Sequence, residues 1–502
     1  MKKKRAQLKK SGALLATALL IGNSVALAGS VIADKKAVVE TKPDSNPLCF
    51  LDGKVCFDVE ERFRWEIRDN NFDFNDANNV FTDDNWFLQR ARIGVKLTLT
   101  DWLKVYAQAQ DSRELNSDRP DFPGQLGAEG DDAFDLRQAW VEFGNPKSFP
   151  LTLKVGRQIL SYGDERLIGA FDWNNIGRTF DAVKLRWEEK LWSLDAFAAS
   201  VVVPERSQYN QSDFVNGTET DRQQVFTGLY FSTTAIPIQT TDLYALHLHE
   251  NTGPDYQYNP LGDTNFLTLG ARVKSKPGVF APHEDEALSK DGKAVNDGKA
   301  VAPKPPRPVG FDYDAEFAFQ TGTVRGLDLN AFAVHGGIGY TFDTAWLPRL
   351  GLAYNFGTGD DDPADRNIQT FQNLFPTNHK FYGQMDVFSW QNMHDLEVSF
   401  KVQPVKAVTV KAEYHAFWLE TTEDLWYRAN GSAATAVRPL NATSRAAGNY
   451  AGSEADLTVT WNVNKYLQVE GGYSHFFAGD YLSDTGPSDD ANFGYVQAKL
   501  TF

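Results

Sequence analysis

Residues 57–68 read FDVEERFRWEIR. Phe57, Val59, Phe63, Trp65 and Ile67 fall on one side of an extended chain; Asp58, Glu60, Arg62, Arg64, Glu66 and Arg68 fall on the other. Successive side chains of a strand point to opposite faces, so this run has one apolar face and one charged face. A soluble sandwich would turn the charged face to bulk water. A membrane barrel turns it to a wet lumen and gives the apolar face to lipid.

Repetition and spacing decide between the two. Period-two patterning predicts about eighteen strands, at 57–68, 86–99, 103–113, 134–143, 151–159, 178–187, 191–201, 224–235, 241–250, 265–274, 311–321, 327–342, 349–357, 390–402, 407–419, 452–462, 466–478 and 492–502. Their connections alternate in length. Residues 100–102, 188–190, 403–406 and 463–465 are tight turns. Residues 69–85, 114–133, 160–177, 202–223, 358–389, 420–451 and 479–491 are long and rich in Asp, Asn and Gly. Tight turns at one end and long loops at the other are the plan of an outer-membrane barrel; a sandwich has no reason to sort its loops this way. The expected fold is all-β, a transmembrane antiparallel up-and-down β-barrel over 55–502, with both termini on the periplasmic side.

The two ends of the chain agree with this. Lys2, Lys3, Lys4, Arg5, Lys9 and Lys10 precede an apolar, small-residue stretch from Ser11 to Ala28 that closes on Ala26-Leu27-Ala28. This reads as a secretory signal peptide over 1–28, with a second cleavage choice after Ala33. An anchoring helix is disfavoured because the run is short and Gly22 and Asn23 interrupt it. At the other end FGYVQAKLTF (493–502) alternates Val496, Ala498, Leu500 and Phe502 with Tyr495, Gln497, Lys499 and Thr501. Such a last strand resembles the signal by which barrels are handed to the barrel assembly machinery. No later segment is apolar for long enough to cross a bilayer as a helix, and only helices and closed barrels satisfy their backbone groups in lipid. The expected location is the cell outer membrane, in contact with its lipid and lipopolysaccharide.

Two stretches lie outside the strand pattern. Residues 29–54 read as a periplasmic tail ending in a hairpin. The two cysteines of the chain, Cys49 and Cys56, lie symmetrically about Asp52-Gly53 in an oxidising compartment, which predicts a structural disulfide. A two-residue turn would place them at a hydrogen-bonded pair, where Cα atoms are farther apart. Residues 275–310 fall where a tight turn is due. Their Lys, Pro, Gly and Asp content reads as a disordered periplasmic insertion, either a plain linker or a basic contact to a periplasmic partner or the cell wall.

Composition narrows the function. Of 502 residues 13% are aromatic, as strands and interfacial girdles require, and the net charge of −16 opposes nucleic-acid binding. The sequence has no Gly-Lys-Ser/Thr phosphate loop, nucleophile elbow or Cys-x-x-Cys pair, so no enzyme activity, cofactor or metal is expected. Asp131-Asp132 and Asp360-Asp361-Asp362 read as surface acids. His247 and His249 share a strand face and read as lumen lining.

Strand parity turns Arg62, Arg64, Arg68, Arg90, Arg92, Lys96, Lys104, Lys154, Lys184 and Arg186 inward from the first six strands. Later strands turn in acids: Asp312, Asp314, Glu316, Asp328, Asp395, Glu397, Glu413, Glu454, Asp456 and Glu470. Opposed basic and acidic walls set a transverse field of the kind that selects ions; salt bridging that only supports the wall is the competing reading.

Specific words then appear. KVGRQILSYGDERLIGAFDWNNIGRTFDAVKLRW (154–187), LRQAWVEF (136–143), EYHAFW (413–418) and GGYSHFFAGDY (471–481) resemble the alginate export family of outer-membrane porins, over about 55 to 502. The resemblance implies an eighteen-stranded monomeric barrel and a lumen through which an anionic polyuronate leaves the cell. It also implies pore roles for Arg137, before the Trp-Val strand, and Arg157, of Gly-Arg-Gln. Raw parity places Arg157 outward, so either a bulge turns it in or this pore role is wrong. Glu470 stands before Gly471-Gly472 where the family's alginate porin carries an arginine, a departure from a purely anion-guiding lining.

The expectation is passive diffusion of an anionic polysaccharide or small anionic solute. Arg62, Arg64, Arg90, Arg92, Arg137 and Arg157 guide carboxylates through their planar forks, Arg186 and Glu470 line the bore, and loops 358–389 and 420–451 constrict it. Alternatives are a porin for other solutes (small carboxylates, oligosaccharides), a barrel enzyme or adhesin, and a secreted carbohydrate-binding β-protein.

Overall fold

Each expected run forms a strand in the computed structural model, which describes residues 48–78, 83–117, 130–204, 209–212, 222–252, 262–279, 308–435 and 437–502. In chain order the barrel strands are β1 Val55–Asp69, β2 Asp84–Thr100, β3 Leu103–Leu115, β4 Asp132–Phe143, β5 Leu151–Gln158, β6 Phe180–Glu188, β7 Trp192–Val203, β8 Arg222–Thr233 and β9 Gln239–Thr252. They continue as β10 Thr264–Ser275, β11 Gly310–Val324, β12 Leu327–Thr341, β13 Arg349–Gly357, β14 Met393–Val405, β15 Val408–Trp418, β16 Tyr450–Asn462, β17 Leu467–Ala478 and β18 Ala491–Thr501. Neighbours in sequence pair antiparallel, and β1 pairs with β18, Arg62 opposite Lys499 and Trp65 opposite Val496. Closure leaves no sheet edge, as a lipid environment demands.

The barrel is inside-out relative to a soluble core. Ile93, Leu229, Leu243, Ile338, Leu352 and Val496 are exposed on its outer face, while Arg64, Glu66 and Arg90 are fully buried inside. Aromatics crowd the outer rim of the short-turn end, with Trp102, Phe149, Phe311 and Trp346 exposed there, as at a lipid–water boundary.

The bore differs along its length. At the long-loop end, loops 358–392, 419–449 and 479–490 pack into an apolar core with Phe388, Trp390, Phe417, Trp426, Phe476 and Tyr481. Phe388 stacks on Phe417 with centroids 4.5 Å apart, and Trp426 Nε1 donates to the Val387 carbonyl at 2.9 Å. Towards the short-turn end the inward Lys104, Lys154 and Lys411 are partly exposed.

The signal-peptide region 1–28 lies outside the described residues, as does most of 275–310. Cys49 and Cys56 form a disulfide. The turn between them is longer than expected. Phe50 pairs with Val55, and Leu51–Lys54 form a four-residue turn in which Leu51, Asp52 and Gly53 have positive φ. Phe57 N–H donates to the Leu48 carbonyl, so the cysteines occupy a non-hydrogen-bonded pair, with Cα atoms 4.0 Å apart.

Candidate functional site in the barrel lumen

Five of the expected guiding arginines converge on one wall. Arg62 of β1, Arg90 and Arg92 of β2 and Arg137 of β4 point inward together with Arg64, and all five are buried. Arg137 reaches the lumen because β4 bulges: Gln108 pairs with Gln138 but Ala109 with Leu136, so Arg137 is the extra residue. A run of charged side chains could not be buried bare. The partner is the loop between β5 and β6, residues 159–179.

This loop crosses the bore, and its backbone is held by the wall. Arg62 Nη1 donates to the Asp172 carbonyl at 2.7 Å, and Arg62 Nη2 to Asn174 O and Asn175 Oδ1. Arg64 Nη1 donates to Trp173 O at 2.7 Å, with its guanidinium 3.8 Å above the Trp173 ring. Arg90 bridges Glu60 and Asp172, and Arg92 Nη1 lies 2.8 Å from Asp172 Oδ1. Arg137 Nη1 and Gln110 Nε2 share the Ile176 carbonyl. Loss of water around the half-exposed Asp172 carboxyl would raise it, but Arg90, Arg92, Arg62 and Arg137 outweigh this and hold the group well below the ordinary carboxylate range. Across the bore, Asp164 pairs with Arg272 and Lys274 of β10, and Arg166 donates to Asn355 of β13 and to Tyr382. Ile168 bridges to Phe375, tying this loop to loop 358–392.

The wall keeps spare donors. Arg62 Nε, Arg92 Nη2 and both Nε and Nη2 of Arg137 are buried with no hydrogen-bond acceptor among the described residues.

A second wall, β14–β16, reached from β1 through β18 and β17, is acidic. Asp395 and Glu397 of β14, Glu413 of β15, and Glu454 and Asp456 of β16 point inward. His415 of β15 lies among them, 3.0 Å from Asp395. Lys411 pairs with Glu413. Glu454 Oε1 accepts the Met385 N–H at 2.8 Å, so loop 358–392 rests on this side.

Other expected positions divide. Arg186 is inward and pairs with Asp195 and Glu188; Glu470 is inward and accepts from Thr460 and Tyr495 hydroxyls. Arg157 is not in the lumen. No bulge turns it, and it lies on the outer face near the long-loop rim, pairing with Asp181 at 2.9 Å and donating to the Leu136 carbonyl. His247 and His249 also face outward, since Tyr244, Leu246 and Leu248 are the buried inner residues of β9. Asp328 is outward too, with Leu329, Ala331 and Ala333 inside. Sequence reasoning missed the crossing loop, its Asp172 and Trp173, and Glu60 as their counter-charge. The signal was present in FDWNNIG (171–177), a run with no strand period but with groups suited to arginine.

The comparisons agree with this architecture. Solved structures with similar folds include Pseudomonas aeruginosa OccK9 (OpdG), 13% identical, covering 90% of this chain and 100% of that one with TM-score 0.57. Acinetobacter baumannii OccAB2 is 12% identical, covering 89% and 98%, TM-score 0.56. Pseudomonas aeruginosa OpdK, solved with vanillate, is 12% identical, covering 89% and 98%, TM-score 0.54. No curated protein matches the chain. The family model described as alginate export matches residues 55–496, nearly the whole barrel. The chain belongs to the alginate export family and is an outer-membrane β-barrel channel protein.

Proposed function

We propose that the channel passes carboxylate-bearing anionic solutes by diffusion, polyuronates being the class the family name suggests, with the arginine wall as the guide. The observation that carries this reading is the clustering of five inward arginines on one wall, whose guanidiniums hold a crossing loop largely through its carbonyls. A solute carboxylate offers the same acceptor chemistry as those carbonyls, with a full charge besides, and a guanidinium fork suits it in bidentate fashion. OpdK, which shares the fold, was solved with a small aromatic carboxylate. Arg186 is placed to extend the basic side, while Arg157 has no part in it.

The acidic wall favours a second reading, a channel for other charged solutes with weak or cationic preference. Planar-bilayer conductance separates the two. A reversal potential of anionic sign under a salt gradient, with oligouronates interrupting the current, supports the first. Cation preference without uronate block overturns it in favour of the second. We also read the working form as a monomer; cross-linking in outer membranes checks that.

A further inference from the structure

The acidic wall holds more ligand atoms than hydrogen-bond donors. Across β14, β15 and β16, Glu397 stands opposite His415 and His415 opposite Glu454; Ser399, Glu413 and Asp456 form the adjacent row. The ligand atoms of Glu397, Glu413 and His415 lie within 4.8 Å of one another. Asp395 Oδ1 is 3.0 Å from His415 Nδ1, so Nδ1–H donates to that carboxylate and Nε2 is the ring nitrogen left to meet a ligand. Nε2 stands 4.0 Å from Asp456 Oδ2, too far for a hydrogen bond. The Asp456 side chain is 1% exposed, and among the described residues neither of its oxygens meets a hydrogen-bond donor, nor does the buried Glu454 Oε2. Carboxylates so placed call for a cation. Lys411 supplies one charge to Glu413, from a side chain 41% exposed to the wet bore.

We propose that Glu397, Glu413 and His415 bind a divalent first-row metal ion of the zinc class in the lumen, with Asp456 adding negative charge and Asp395 orienting the imidazole. Imidazole with carboxylates suits zinc and its neighbours, whereas calcium favours oxygen alone. An ion about 2.1 Å from each ligand keeps the ligand atoms roughly 3–4 Å apart, a small contraction of the present cluster. A carboxylate behind a ligating histidine is the usual support for such a site. The bound ion places two positive charges on the acidic wall, bringing it closer in sign to the basic wall. The site goes beyond the solute reading and does not depend on it.

The test is calorimetric titration of the metal-stripped full chain in detergent with Zn2+, and separately with Ca2+. One saturable Zn2+ per chain is expected. His415→Gln and Glu397→Gln should each weaken it by on the order of tenfold or more, and Lys411→Met should tighten it. The double variant His247→Ala/His249→Ala, which removes the outward histidines, should leave it unchanged. Absence of saturable Zn2+ binding by protein with the heat-modifiable migration of a folded barrel overturns the proposal. So does loss of binding in the outward double variant, or Ca2+ binding that survives His415→Gln in place of Zn2+ binding. Should His415→Gln fail to fold, the lumen-exposed Glu397→Gln gives the decision. Binding is read in detergent, so its failure leaves the channel reading standing, and a failure of conduction leaves the site standing.

Discussion

The two walls of this lumen carry opposite charge and solve burial in opposite ways. On the basic wall, Arg62, Arg64, Arg90, Arg92 and Arg137 meet a loop that brings four backbone carbonyls and one carboxylate. On the acidic wall, Asp395 is satisfied by His415 and Asn355, but Asp456 and one oxygen of Glu454 meet no donor among the described residues. The difference follows from what a loop can offer. A crossing chain readily presents carbonyls, all acceptors, to an arginine wall. Against carboxylates it must aim N–H groups, and loop 358–392 supplies Met385 N–H alone to Glu454. The basic wall is therefore the mechanical anchor of the constriction, and the acidic wall is the side left open to a small cation.

The sharpest way to break this contrast is Arg90→Ala. It removes one of the two guanidiniums that Glu60 and Asp172 share, Arg92 keeping both, and the loss of its charge-assisted bonds costs about 3 kcal/mol. A drop of that size in urea unfolding, with larger and less anion-selective conductance, is expected; an unchanged midpoint would mean that the wall does not anchor the loop.

Asp172→Asn probes the same contact from the loop. The Asp172 carbonyl still accepts from Arg62 and Arg90, so the cost should be smaller, about 2 kcal/mol for lost charge-assisted bonds. The freed guanidiniums should raise anion preference in a reversal-potential measurement, opposite in direction to Arg90→Ala. A fall in preference would refute the guiding role of this wall.

Loop 358–392 should respond to pH. Burial, with Asp424, Asp365 and Asp361 nearby, pushes the Asp360 carboxyl up to about 6. A folded value above the unfolded one means that the folded loop binds the proton more tightly. Its contribution to stability is full below about pH 4 and lost as pH rises through about 6. Hydrogen exchange of the loop amides should be slower at the acidic end of that window, and Asp360→Asn should flatten the dependence. Exchange that slows as pH rises in that window, after correction for intrinsic rates, would reverse the assignment.

The smallest effect belongs to Arg157→Ala. An outer-rim pair with Asp181 contributes about 0–1 kcal/mol, and ion selectivity should not move. A selectivity change would put Arg157 back in the transport path.

The strand positions, their antiparallel order and the inward direction of Arg62, Arg64, Arg90, Arg92, Arg186 and Glu470 were all readable in the amino-acid order. Lipid and water on opposite faces of one wall impose a period of two, and that period is local. Arg137 was legible through family resemblance alone, because a single inserted residue in β4 shifts the parity. The failures share a cause. Near the long-loop end, loops fill the bore, so the inner face turns apolar, as at Leu246, Leu248, Leu329 and Ala331, and the polar residues His247, His249 and Asp328 move outside to the rim. Arg157 lies on the same rim, where its parity had placed it; the family resemblance, not the period, pointed it inward. The alternation itself persists there while its chemical meaning inverts. That inversion depends on which loop enters the barrel and what it touches, and these are contacts between residues more than a hundred positions apart, Arg62 with Asp172 and Ile168 with Phe375 among them. No local pattern encodes such pairs. They exist once the closed barrel has brought β1 and β2 on one side and β10 on the other within reach of one crossing loop.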